Sequence, residues 1–136
     1  MTRARYDPDD PREWLNRAHS NLRLASVSTP EVYLEELCFN AQQAAEKAIK
    51  AVFVRLEEPF PYIHNLDRLL DLLRNKGAEI PDAVMRAGEL TPFAFDARYP
   101  GLRADTTEDE YRHLLSIAEA VVGWAEAIVF AGNRPE

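Results

Sequence analysis

Between Pro30 and about Leu56 apolar side chains recur at a helical repeat for longer than a strand normally runs, and this stretch restricts the chain to a helical fold. Leu34, Leu37, Cys38, Ala41, Ala45, Ala48, Ile49 and Val52 fall on one stripe of that helix. The small residues Ala41, Ala44, Ala45 and Ala48 let neighbouring helices approach its axis closely. Thr29-Pro30 reads as its cap and first position, and Glu57-Glu58-Pro59-Phe60-Pro61 as its stop.

The flanking sequence supplies partners of the same kind. Asp10-Pro11-Arg12-Glu13 combines an N-cap, a proline at the first helical position and an acidic first turn. It opens a first helix running to about Ser26, with Leu15, Ala18, Leu22 and Ala25 inward. A third helix begins near Asn65, carries Leu66, Leu69, Leu70 and Leu73, and closes at Gly77. A shorter fourth starts near Pro81, and Pro92 must interrupt it or restart it with Thr91 as a new cap. Thr107 and Glu110 form a capping box for the last helix, which buries Leu114, Ile117, Ala118, Val121, Trp124, Ala125 and Ile128. The expectation is an all-α protein, an antiparallel four-helix bundle with an additional short helix. One domain spans 10–131, between a flexible N-terminal tail at 1–9 and a C-terminal tail at 132–136.

Composition narrows the chemistry. A net charge of −7 argues against coating nucleic acid through a broad basic face, although it leaves room for a small basic cleft. No glycine lies in a phosphate-cradling motif, so a nucleotide would be held by side chains. The lone Cys38 leaves no internal disulfide and no multi-cysteine zinc site, and its place on the apolar stripe marks it as a small core hydrophobe. No apolar run nears the roughly 20 residues that cross a bilayer, and no signal peptide is read at the N-terminus. The expected setting is cytoplasmic, without a membrane partner and without a cofactor or metal.

Several constellations invite functional readings. Glu110 and His113 have the Glu-x-x-His spacing of di-iron bundles, which need two such pairs, and the chain has one. His64, Asp67 and Asp71 share a helical face, where the expected roles are His64 as cap of the third helix and the aspartates as first-turn charge. Arg12, Asn16, His19 and Arg23 share the outer face of the first helix, either an anion-binding strip or a solvated surface. On the polar side of the second helix Asn40, Gln43, Lys47 and Lys50 recur at spacings of three, four and three, with Gln42 and Glu46 beside them. Amides and lysines together can read base edges and neutralise phosphate. The same face is also compatible with solvation and a Glu46–Lys50 pair one turn apart.

Three stretches then fit one family in the same order. Cys38-Phe-Asn-Ala-Gln-Gln-Ala-Ala-Glu-Lys-Ala-Ile-Lys-Ala51 resembles the central-helix signature of HEPN domains (higher eukaryote and prokaryote nucleotide-binding). His64-Asn-Leu-Asp-Arg-Leu-Leu70 is similar to the family's His-Asp-Leu stretch, with Asn65 in place of the usual Asp, and Ala97-Arg98-Tyr99-Pro100 resembles its Ala-Arg-Tyr-Pro segment. The resemblance covers roughly residues 12 to 130. It implies a helical bundle, usually a homodimer, often acting with a minimal nucleotidyltransferase as a toxin–antitoxin pair.

On that basis the expected function is a nucleotide- or RNA-binding subunit. Its contacts would be Asn40, Gln43, Lys47, Lys50, Arg98 and Tyr99, with His64 orienting the adjoining loop. Some family members are metal-independent endoribonucleases that place an Arg about four to six residues before a His near the start of the last helix. Here Arg98 and Arg103 precede that helix but lie too far from His113, and Arg12 and His19 have the spacing on the wrong helix. A degenerate ribonuclease site of Arg98 or Arg103 with His113 is the alternative, and a purely structural dimeric subunit the third reading.

Overall fold

The computed structural model describes residues 3–131, so the expected C-terminal tail at 132–136 and the first two residues lie outside it. Five α-helices are present among the described residues: α1 (Pro11–Ala25), α2 (Leu34–Arg55), α3 (Leu66–Asn75), α4 (Asp82–Met85) and α5 (Glu108–Val129). No described residue is in a strand. Helix α2 is the axis of the bundle. It packs against α1 on one flank and α5 on the other, while α3 and a 3₁₀ run, Arg86–Ala94, cover its remaining side. Cys38, Ala41, Ala44, Ala45, Ala48 and Ile49 are essentially without solvent contact, as the expected stripe requires. No described helix is long and apolar enough to cross a membrane.

The caps explain most of the boundaries. Asp10 accepts the Arg12 N–H at 2.9 Å and Thr107 accepts that of Glu110 at 3.1 Å, both as the sequence implies. Helix α3 ends with Gly77 at φ +96°, the left-handed position that glycine adopts without strain. Helix α2 ends in a similar way without a glycine: Glu57 takes φ +57°, which lets Glu58 N–H reach the carbonyl of Phe53 at 3.0 Å.

Three local expectations are corrected. Helix α2 starts at Leu34 and not Pro30, because Pro30, Glu31 and Val32 are exposed and no core contact holds another turn; its cap is Tyr33, whose side chain makes no capping bond. The cap of α3 is Asn65, which accepts Arg68 N–H at 3.1 Å, while His64 turns elsewhere. Thr91 starts no new helix: its hydroxyl accepts Leu66 N–H at 3.1 Å, and the chain continues past Pro92 as 3₁₀. Val84, Ala87, Leu90 and Phe93 are all buried at intervals of three. That is the 3₁₀ repeat, and proline's missing N–H makes an α-helical ladder there incomplete in any case.

Residues 3–9, expected from sequence to be a tail, lie along α1. Glu13 accepts Tyr6 N–H at 2.9 Å, Asn16 donates to the Ala4 carbonyl at 2.9 Å, and Trp14 donates to that of Pro8 at 2.8 Å.

Candidate functional site

The polar face of α2 is divided by what packs against it. On one side the chain leaves α2 at Glu57 and returns through Phe60, whose ring meets Trp14 edge-on at 5.3 Å and Phe53 at 6.1 Å. This return sets His64 against the buried carboxylate of Glu46, with Nδ1 2.8 Å from Oε1. An ionised carboxylate only accepts, so the histidine proton facing it sits on Nδ1. Lys50 Nζ donates to the other oxygen at 3.0 Å, and Gln42 donates to the first at 2.9 Å. Burial pushes the Glu46 pKa up, but the hydrogen bonds from His64, Lys50 and Gln42 outweigh it and hold the carboxyl below its ordinary value.

This network changes the roles of two expected ligand contacts. Lys50 is only 6% exposed and its charge is neutralised by Glu46, so it offers no free cation to a phosphate. His64 lies in the segment that leads into α3. It is held there by Glu46, a partner 18 residues away that no local spacing points to.

Toward α1 the face is a chain of amides. Lys47 donates to Asn21 Oδ1 at 2.7 Å, Asn21 donates to Asn40 at 3.1 Å, and Asn40 donates to the Glu36 carbonyl at 3.2 Å. Burial lowers the Lys47 pKa, and the nearby Arg17 charge adds to the effect. Gln43, between the two edges, donates to Gln42 at 2.7 Å.

A different environment surrounds Arg98 and Tyr99. The Arg98 guanidinium stacks 3.9 Å above the ring of Phe39, and one amino group donates to the Ala94 carbonyl at 3.2 Å. Its Nε is buried and has no hydrogen-bond partner among the described residues. Thr106 is 7% exposed; its N–H donates to Glu35 at 2.7 Å, whereas its hydroxyl has no partner among the described residues. Both residues line a cleft of about 520 Å³ between the start of α2 and the segment 97–106, together with Tyr33, Tyr99 and Arg103. The Tyr33 and Tyr99 side chains are 80% and 58% exposed at this cleft. Sequence reasoning misses Thr106, Tyr33 and Phe39, since nothing in their spacing distinguishes them from cap or core residues.

The remaining candidates do not converge. Arg103 pairs with Glu110 at 2.7 Å, and His113 pairs with Glu89 at 2.9 Å. No ion pair or hydrogen bond among the described residues links Arg98 or Arg103 to His113. On α1, Arg12 is taken by Asp10 at 2.7 Å and His19 by Glu126 at 3.2 Å. The Cys38 thiol is pushed up to about 12 by burial and by the charges of Glu110 and Glu35, which suits a core residue and not a nucleophile. Among the described residues no three His, Cys, Asp or Glu side chains are grouped to hold a metal.

Comparison with known proteins agrees with this architecture. The family model described as the HEPN domain matches residues 11–128. The crystal structure of TT1696 from Thermus thermophilus superposes with a TM-score of 0.77 at 27% identity, covering 88% of this chain and 98% of that one. The structure of ST0689, an archaeal HEPN homologue, gives a TM-score of 0.70 at 22% identity, over 88% and 97% of the two chains. No curated protein matches the sequence.

Proposed function

The chain belongs to the HEPN domain family, and from that premise we propose that it is a nucleotide- or RNA-binding subunit, acting in the cytoplasm as a homodimer beside a minimal nucleotidyltransferase in a toxin–antitoxin-type pair. The observation that carries the binding role is the Arg98–Thr106 cleft. Among the described residues it holds a guanidinium whose Nε–H has no partner, a buried hydroxyl likewise without one, and two exposed tyrosine rings. A buried polar group left without a partner costs about 1–3 kcal/mol, so a ligand oxygen that reaches either atom recovers part of that cost. For a phosphate to meet both atoms the 97–106 segment would have to move away from them, and Tyr99 or Tyr33 would then be placed to stack on a base.

Lys47, Gln43 and Asn40 extend the polar surface along α2 toward α1, while Lys50 stays with Glu46 and His64 supports the loop. The homodimer, the nucleotidyltransferase partner and the toxin–antitoxin setting rest on the resemblance to nucleotidyltransferase-associated family members. Exposed Val32, Tyr33, Tyr99 and Leu102 near the cleft are consistent with a covering second copy.

Fluorescence anisotropy with a labelled single-stranded RNA and a labelled nucleotide tests the assignment. Arg98→Ala and Tyr99→Ala are expected to weaken at least one of the two probes tenfold or more. Unchanged affinity for both probes in both variants removes the cleft as the site.

A further inference from the structure

A cavity of about 760 Å³ runs along α1 over its seam with α5, apart from the cleft at Arg98. One wall is the N-terminal segment, fixed to α1 by the bond from Asn16 to the Ala4 carbonyl and by Arg3, which donates to Asn16 Oδ1 at 3.2 Å. The groove follows α1 from Glu13 to Ser26, a length of roughly 20 Å at the rise of an α-helix.

Its lining has two characters. Leu22 and Leu115 form a half-buried apolar floor at the seam between α1 and α5, and Leu24, 57% exposed, lines the opposite rim, about 200° around α1 from Leu22. Around that floor stand Arg3, Arg5, Arg17 and Arg23. Glu13 pairs with Arg17 at 2.6 Å, and Glu119 is the other acidic lining residue. Arg3, Arg5 and Arg23 have no acidic partner among the described residues. This concentration of arginine occurs in a chain of net charge −7.

We propose that this groove docks an acidic, amphipathic helical segment of a partner protein. Leucines of such a segment cover Leu22, Leu24 and Leu115, while its carboxylates pair with the guanidinium forks at the rim. The lining disfavours the other polyanion, a nucleic acid. Among the described lining residues it offers no Phe, Tyr or Trp ring on which a base could stack, and its one imidazole, that of His19, is tied at Nε2 to Glu126 at 3.2 Å. Its uncharged polar side chains are already engaged: Asn16 through both amide atoms, Ser20 as donor to the Asn16 carbonyl at 3.0 Å, and Ser26 as donor to that of Arg23 at 2.9 Å. The groove shares no lining residue with the cleft at Arg98, so its occupant is independent of what that cleft binds.

The test uses the full chain and three fluorescent probes: a 16-residue helix-forming peptide with leucine on one face and glutamate on the flanks, a scrambled peptide of the same composition, and a 12-nucleotide single-stranded RNA. The amphipathic peptide is expected to bind saturably, at least tenfold tighter than the scrambled one. Binding should weaken at least tenfold in the Arg5→Glu/Arg23→Glu double variant and, separately, in Leu24→Asp. These side chains are on the surface, and circular dichroism checks that each variant folds. The proposal is overturned by absence of saturable binding up to millimolar peptide, by equal binding of the two peptides, or by peptide binding that both variants leave unchanged. RNA binding lost in the double variant without peptide binding assigns the groove to nucleic acid instead. A dimer that becomes monomeric in Leu24→Asp on sedimentation assigns it to a second copy of the chain, and likewise overturns the proposal.

Discussion

Glu46 and Arg98 both border the polar face of α2, yet the protein treats them in opposite ways. Glu46 is buried and fully partnered, by His64, Lys50 and Gln42. Arg98 has one hydrogen bond to a carbonyl, a ring beneath it, and a buried Nε with no partner among the described residues. Charged side chains on one surface are therefore not interchangeable evidence for a ligand. Where acceptor and donor capacity is used up within the chain, the group holds the fold together. Where capacity is left over at the wall of a cleft, a ligand has something to supply.

The hardest test of the structural half is Glu46→Ala. It leaves Lys50, 8% exposed at its side chain, without a counter-charge, and His64 without its acceptor. Removing one partner of a buried ion pair costs about 3–5 kcal/mol, a large share of a small domain's stability. Urea denaturation followed by circular dichroism should show that loss. A change below about 1 kcal/mol means the network is ornamental to stability and the contrast with Arg98 collapses.

A crossed pair of variants sharpens the contrast. Lys50→Ala should cost about 2 kcal/mol of stability, less than Glu46→Ala because the carboxylate keeps two partners, and should leave ligand affinity within twofold. Arg98→Ala should do the reverse. It loses about 1 kcal/mol of stability from its stacking on Phe39, and roughly ten- to a hundredfold in affinity if it donates to a phosphate. Equal effects of both variants on binding would return Lys50 to the site that the sequence pattern implies.

That implication shows where sequence reasoning ends. Helical spacing alone puts Asn40, Gln43, Lys47 and Lys50 on one side of α2, because spacing is a local property. The apolar stripe of α2 and the Thr107 cap are legible for the same reason. What cancels Lys50 as a free charge is partly local, the Glu46 pair, and partly the return of the chain through Phe60 to His64. That return depends on Glu57 adopting a left-handed conformation and on ring packing against Trp14, neither of which has a periodic signature. Thr91 misleads for the same reason: the N–H that its hydroxyl caps, that of Leu66, lies on another helix. The unpartnered atoms of Arg98 and Thr106 are further from the sequence still, since a missing partner has no motif.

Acid titration separates the two regions more gently. The Glu46 carboxyl is held below its ordinary pKa of 4.5 in the folded protein, so its contribution is fully present above that pH. It is lost as pH falls through the lower folded value, because the unfolded chain takes up the proton first. Asp10 and Glu13 are also held low and add to the same slope. The difference between the protein and Glu46→Gln isolates the one group: stability measured from about pH 5.5 down to about 3 should fall less steeply in the variant. Parallel curves would mean that Glu46 titrates alike in both states.

The smallest effect is also the one that only the open region can produce. Thr106→Val replaces the unpartnered hydroxyl with a methyl of nearly the same size, and the backbone N–H that donates to Glu35 is untouched. In most buried sites this exchange destabilises, because a hydrogen bond is lost. Here no bond is lost and a desolvated hydroxyl is removed, so the variant should be as stable as the parent or more stable by up to about 1 kcal/mol. Ligand affinity should move the other way, falling severalfold if the hydroxyl meets the ligand when the 97–106 segment opens. A stability loss above about 1 kcal/mol would show that the hydroxyl is already bonded in solution. In that case Arg98 Nε is left as the one buried side-chain atom of the cleft without a partner among the described residues, and the ligand reading rests on Arg98 and the tyrosines alone.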